Sequence, residues 1–229
     1  LGSVEKERLS PMLLSSLETA NKPGITVLCL GSHPDDIEIG CGGTIIRLVE
    51  TFPQISVGWI VFSAGRRRRS EAEASAADHL RGVPRKTVSV RTFRESFFPS
   101  QLAAIKKEFE RLKRDWDPDV IFTHYRHDLH QDHRIISDLT WNTWRRHLIF
   151  EYEIPKYDGD LGSPNVFVPL DKRIGETKVI HLMRHFATQR SKAWFTEDTF
   201  WAMMRIRGVE ANSPTAYAEA FHCRKLVLR

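Results

Sequence analysis

Ile25-Thr26-Val27-Leu28-Cys29-Leu30 runs directly into Gly31-Ser32-His33-Pro34-Asp35-Asp36. The first half is a nearly continuous apolar run of strand length, the pattern of a strand buried on both faces in a parallel sheet. The second half is a polar turn, since Pro and Asp both favour turns. Working outward, Gly43-Thr44 opens a helix through Leu48, Ile55 to Phe62 reads as a second strand, and Glu71 to Leu80 is an alanine-rich helix ended by Gly82. Thr87 to Val90 is a short strand. Gln101 to Trp116 is amphipathic, with Leu102, Ile105, Phe109 and Leu112 on one face. Asp117-Pro118 breaks it, Val120 to Thr123 is the next strand, and His133 to Phe150 reads as helix. A helix near the N-terminus (1–22), another from Lys178 to Gln189 and a last strand from Cys223 to Leu228 complete the reading. Strands alternating with helices predict an α/β fold, a Rossmann-like three-layer sandwich with a mainly parallel sheet.

The bulk properties narrow the function. With 229 residues, 41% hydrophobic and 28% charged, the chain is expected to be one globular domain over 1–229. Cys29, Cys41 and Cys223 form no CxxC pair, which argues against a disulfide framework and a cysteine-rich zinc site. No apolar run approaches the ~20 residues of a membrane helix, and no signal-like segment opens the chain, so a cytoplasmic location is expected. The net charge of +5 owes much to Arg66-Arg67-Arg68-Arg69. No aromatic residue interleaves that run and no zinc finger or RNA-binding motif occurs, so nucleic acid is not the expected partner. An anionic small molecule can use the same arginines.

Two polar clusters carry chemistry. His33-Pro34-Asp35-Asp36 follows the first strand, and His124 to His133 follows the Val120–Thr123 strand, with four histidines in ten residues. In such sheets functional groups gather beyond the carboxyl ends of the strands, so the two clusters can meet. A catalytic zinc uses three protein ligands and leaves a position for water, which two histidines and an aspartate can supply. Each cluster alone also reads as a turn with a helix cap or a solvated loop. The Gly40-Cys41-Gly42-Gly43 segment lacks GxGxxG spacing, so its glycines are read as backbone close-approach points rather than a phosphate cradle. His127 is a competing ligand.

The string Leu30 to Thr44, with its His-Pro-Asp-Asp core, resembles the signature of the PIG-L/LmbE family of N-acetylglucosaminyl deacetylases, and Asp128-Leu129-His130-Gln131-Asp132-His133 resembles that family's second element. Glu73 to Ala77 with Gly82-Val83, and Tyr217 to Phe221, are similar to its intervening helix and C-terminal segment. The resemblance implies a Rossmann-like fold and one Zn2+ held by His33, Asp36 and His133. It implies Asp35 as general base and His130 as a cationic aid to the transition state. Asp132 is expected to orient His130 or to cap a helix. The family often has an arginine where this chain has Ser70. The neighbouring Arg69, together with Tyr157 of the Tyr157–Asn165 loop, is the expected substrate-binding pair. The implied reaction is hydrolysis of the acetamide of an N-acetyl amino sugar, a glycoside or nucleotide sugar. The alternatives are a zinc amidase acting on a non-sugar N-acyl amine and a non-catalytic sugar- or nucleotide-binding module. The expected partner is a small-molecule N-acetyl sugar, with no membrane span and room for a homo-oligomer.

Overall fold

The computed structural model describes residues 24–227, so the expected helix over 1–22 lies outside the described residues. Among the described residues, seven strands form one sheet: β1 (Thr26–Gly31), β2 (Ser56–Val61), β3 (Arg85–Val90), β4 (Val120–His124), β5 (Leu148–Tyr152), β6 (Val166–Leu170) and β7 (Tyr217–His222). Their order is β3-β2-β1-β4-β5-β7-β6. Strands β3 through β5 are parallel, and β7 runs antiparallel between β5 and β6. The sheet is therefore mixed but mainly parallel, and helices cover both faces, as the α/β reading expects.

Alternation along β1 sorts its side chains between two cores. Val27 and Cys29 join Val57, Trp59, Val120 and Phe122 on one side, under α1 (Asp36–Thr51), α2 (Arg66–His79), α5 (Lys172–His185) and α6 (Glu197–Glu210). Leu28 and Leu30 join Ile60, Phe62 and Ile121 on the other, under α3 (Leu102–Asp115) and α4 (Gln131–Thr143). Each such side chain, once buried, contributes about 1.5–3 kcal/mol.

Strand β1 pairs with β2 on one side and β4 on the other, so the chain reverses its winding direction between β1 and β4. Such a switch point opens a crevice at the carboxyl ends of the two strands. Both polar clusters emerge there.

Several elements differ from the sequence reading. Helix α1 begins at Asp36, seven residues before Gly43, because Asp36 and Glu38 sit favourably in its first turn. Its glycines serve close packing: a Cβ on Gly40 would lie 2.2 Å from the Tyr152 ring, and one on Gly43 would lie 2.6 Å from Leu170. Helix α2 begins at Arg66, five residues before the expected Glu71, so the arginine run forms its first turn. The expected helix from His133 to Phe150 ends at Thr143, and Leu148 to Phe150 belong to β5. Trp144, 1% exposed and packed on Phe109, closes α4 and turns the chain back into the sheet. Among the described residues the last strand is Tyr217–His222, which ends where the strand expected from Cys223 would begin, because its pairing with β6 fixes register from Tyr217 onward. Strand β6 and helix α6 have no counterpart in the sequence reading.

Candidate metal centre and active site

Helix α1 starts one residue after Asp35, whose backbone has φ 95°, the left-handed region. That conformation costs a non-glycine residue on the order of 1–3 kcal/mol and is tolerated best by Asp and Asn. It folds the His33–Asp36 turn tightly, and the His33 amide donates to Asp36 Oδ2 at 2.6 Å. On the facing side, His130 is the N-cap of α4, and its Nδ1 accepts from the Asp132 amide at 3.2 Å. One turn of helix then carries Asp132 and His133 into the crevice, both buried.

The donor atoms fall into two overlapping groups, His33/His130/His133 and Asp36/His124/His133, each with its ligand atoms within 4.8 Å. The trio expected from the sequence straddles them. His33 Nδ1 lies 3.2 Å from His133 Nε2 and 3.5 Å from Asp36 Oδ2, and His133 Nε2 lies 3.6 Å from Asp36 Oδ1. Tetrahedral zinc with bonds of about 2.0–2.1 Å sets its ligand atoms about 3.3–3.4 Å apart, and each of these contacts comes close to that spacing, the two from Asp36 through different carboxylate oxygens.

The far side of each ring decides which histidines are free to ligate. His33 Nε2 donates to Asp132 Oδ2 at 3.0 Å, and His133 Nδ1 donates to Asp128 Oδ2 at 2.9 Å. A carboxylate on one ring nitrogen orients the other towards a metal. His124 differs: its Nε2 already accepts from the Ser32 amide at 3.0 Å, so that lone pair is spent. Its ring stacks on His133 at 3.9 Å between centroids, and its Nε2 sits 3.2 Å from Asp36 Oδ2. It packs behind His133 and Asp36, outside the trio. His127 is exposed on the loop beside Tyr125, away from the trio.

Electrostatics separate the two adjacent aspartates. Burial would raise Asp36, but the neighbouring His133 and His124 outweigh it and hold the carboxyl well below its usual range. Burial raises Asp35 to about 7, against the opposing pull of Arg68. The Arg68 guanidinium donates to Asp35 Oδ1 at 2.9 Å and to the Pro34 carbonyl at 2.7 Å. Asp35 is thus a buried carboxylate that leaves the donor trio intact and whose proton affinity, in the metal-free protein, is raised towards neutrality.

Burial opposes the protonation of His33, yet Asp132 and Asp36 prevail and lift it to about 10 in the metal-free protein. Burial first, and the charge on His33 second, lower His130. Its Nδ1 accepts an amide proton, so the neutral ring carries its hydrogen on Nε2. The arrangement favours a neutral hydrogen-bond donor over the expected cation.

The remaining expected residues fall differently. The Asp132 carboxylate does not orient His130, whose ring meets the Asp132 backbone amide instead. Its carboxylate holds His33 and also accepts from the Ser96 and Phe98 amides, at 2.6 and 3.2 Å. Arg69 turns away, donating to the Val90 carbonyl and to Glu73, and Arg68 takes the place beside Asp35. Tyr157 is 74% exposed, and its hydroxyl accepts from the Ala193 amide. Lys192, next in sequence to Ala193, lends its charge to Asp35. Four successive arginines carry no periodic signal that marks Arg68, and nothing in the His124–His133 string marks His124 as backing.

A mainly parallel sheet with a histidine–aspartate donor cluster at its switch point defines a metal-dependent hydrolase. Residues 28–144 match the PIG-L family model, described as GlcNAc-PI de-N-acetylase, and the chain belongs to that family, with zinc as its cofactor. Among solved structures, it is similar to N,N'-diacetylchitobiose deacetylase from Pyrococcus horikoshii, at 21% identity and TM-score 0.68, over 87% of this chain and 84% of that one. A conserved protein from Thermus thermophilus matches at 20% identity and TM-score 0.68, over 90% and 97%. A 4-carboxy-2-hydroxymuconate hydratase from Pseudomonas putida matches at 15% identity and TM-score 0.69, over 90% and 98%. At these identities the likeness speaks for the fold alone, and the hydratase shows that the fold hosts more than one chemistry. No helix among the described residues is long and apolar enough to cross a membrane.

Proposed function

We propose that the chain hydrolyses the acetamide of an N-acetylated amino sugar, an N-acetylglucosamine-type glycoside or nucleotide sugar, to acetate and a free amine. The observation that carries this reading is Asp35, a buried carboxylate in a strained backbone position, beside the donor trio yet outside it. A binding module has no use for such a group. The P. horikoshii deacetylase, whose name specifies an N-acetylated chitobiose, supports the sugar class.

His33 Nδ1, Asp36 and His133 Nε2 would hold the metal, with Asp132 and Asp128 behind the two rings. Zinc, when bound, supplies a Lewis acid that polarises the acyl carbonyl and raises the acidity of water. Asp35 accepts the proton of the attacking water, and Arg68 holds the carboxylate in place for it. The His130 Nε2–H donates to the oxygen that gains charge as the carbonyl carbon becomes tetrahedral. When the C–N bond breaks, the protonated Asp35 is positioned to return its proton to the leaving amine.

Acetate release from a panel tests the reading: N-acetylglucosamine, an N-acetylglucosaminyl glycoside, a nucleoside diphosphate N-acetylglucosamine and an N-acetyl amino acid. At least one sugar should be cleaved, with activity removed by a chelator and restored by zinc. Cleavage of the amino acid alone would favour the non-sugar amidase. Sugar binding without acetate release by the zinc-loaded protein would favour the binding module.

A further inference from the structure

The loop between β5 and β6 places a lysine where a charge is costly. The Lys156 side chain is only 9% exposed, and its Nζ lies 3.0 Å from Asp128 Oδ2. That is the same oxygen that accepts from His133 Nδ1 at 2.9 Å. The ammonium also pairs with Asp160, whose side chain is 5% exposed, and donates weakly to the Ile154 carbonyl at 3.5 Å. Asp160 Oδ2 accepts from the Leu129 amide at 2.6 Å, and Asp128 Oδ1 accepts from the His130 amide at 2.7 Å. Desolvating an ammonium and two carboxylates costs several kcal/mol each before their attraction is counted, so packing alone does not explain this set.

We propose that Lys156 is a positioning residue: it fixes Asp128, and through it the His133 ring, and with Asp160 it latches the 154–162 loop to the metal centre. One cation is shared by the carboxylate that aims a ligand and the carboxylate that anchors the loop. Displacing the loop would remove the cation from Asp128 and free His133 to turn. Metal binding and loop closure therefore reinforce one another, and each must change the other by the same factor. The loop carries Tyr157 and Leu161, both exposed.

The inference rests on His133 being a ligand, and the experiment separates the two. Zinc affinity is measured by competition with a chromophoric chelator, and loop order by hydrogen–deuterium exchange of residues 156–162 with and without zinc. In the parent protein zinc should slow exchange across this loop. Lys156→Met should weaken zinc by at least about tenfold, the lower end for partners behind a ligand, and zinc should no longer protect the loop. Asp160→Asn, which leaves Lys156 and Asp128 in place, should loosen the loop and, by the same coupling, weaken zinc, by less than Lys156→Met does; a loosened loop with unchanged zinc affinity overturns the latch. It serves if the methionine variant does not fold. Unchanged zinc affinity in Lys156→Met, or zinc that leaves parent loop exchange untouched, overturns the latch. A parent that binds no zinc, or keeps it fully after His133→Ala, overturns the ligand assignment instead.

Discussion

Replacing Asp132 by Asn exchanges one carboxylate oxygen for an NH2 group at a site with three donors. Oδ2 takes both the Ser96 amide and the His33 ring, and Oδ1 takes the Phe98 amide. The cheaper orientation of Asn keeps its oxygen at the Oδ2 position, which leaves the Phe98 N–H facing another donor. One orphaned buried N–H costs about 1–3 kcal/mol. In a chain of this size each kcal/mol lowers Tm by about 2–4 °C, so a fall of about 2–12 °C is expected in the zinc-free protein. The second effect falls on the metal. His33 loses a charged hydrogen-bond partner, and such changes weaken metal binding by about 10–100-fold, or about 1.4–2.7 kcal/mol. Thermal unfolding in chelator reads the first effect, and zinc titration against a competing chelator reads the second. If Tm falls but zinc affinity stays within about threefold, Asp132 anchors the Ser96–Phe98 loop and does not orient His33.

Asp35→Asn should keep its zinc and lose about 10²–10⁴-fold in kcat; metal content and turnover measured on one preparation check this, and near-parental turnover would make Asp35 a turn residue only. His130→Ala should bind zinc and substrate normally and lose about 10²-fold in kcat, the scale of one oxyanion donor, whereas joint loss of metal and activity would make it a ligand. Zinc uptake near pH 7 should release about one proton, because His33 is protonated in the metal-free protein and must become neutral to ligate. The sign follows from the raised value: the ion pairing of His33 stabilises the metal-free fold fully below pH 6.5 and fades as pH rises through about 10, so zinc affinity climbs with pH. Calorimetry in buffers of different ionisation enthalpy measures the proton count, and a count near zero refutes the protonated His33.

The sheet was legible because β1 and β4 are buried on both faces and leave apolar runs that nothing else explains. The gathering of His33, Asp36 and His133 followed from their place at adjacent strand ends. What escaped was set by tertiary contacts. Leu148 to Phe150 continue a helix-like composition, and only pairing with β4 makes them a strand. Asp132 stands beside His130 in sequence but serves His33, from which it is separated by 99 positions. Arg68 and Arg69 are chemically equivalent in a string, and α2 aims one at Asp35 and the other at β3. Strand β6 is half-exposed along most of its length and too short to announce itself.

Helix α1, which opens at Asp36, is also held from the far end of the chain. Lys178 donates to the Ile39 carbonyl at 2.6 Å and pairs with Glu219, whose carboxylate accepts from the Gly43 and Thr44 amides at 2.8 and 2.6 Å. These contacts span 139, 176 and 175 residues. A ribosome therefore releases His33, Asp36 and His133 well before it makes the carboxylate that braces the helix bearing Asp36. Vectorial synthesis delivers the donors early and the brace late, so the newborn chain passes through a stage in which the metal-binding residues exist without their final support. A nascent chain arrested before Tyr217 should hold zinc more weakly than the released protein, and equal retention would show that the helix keeps its shape without β7.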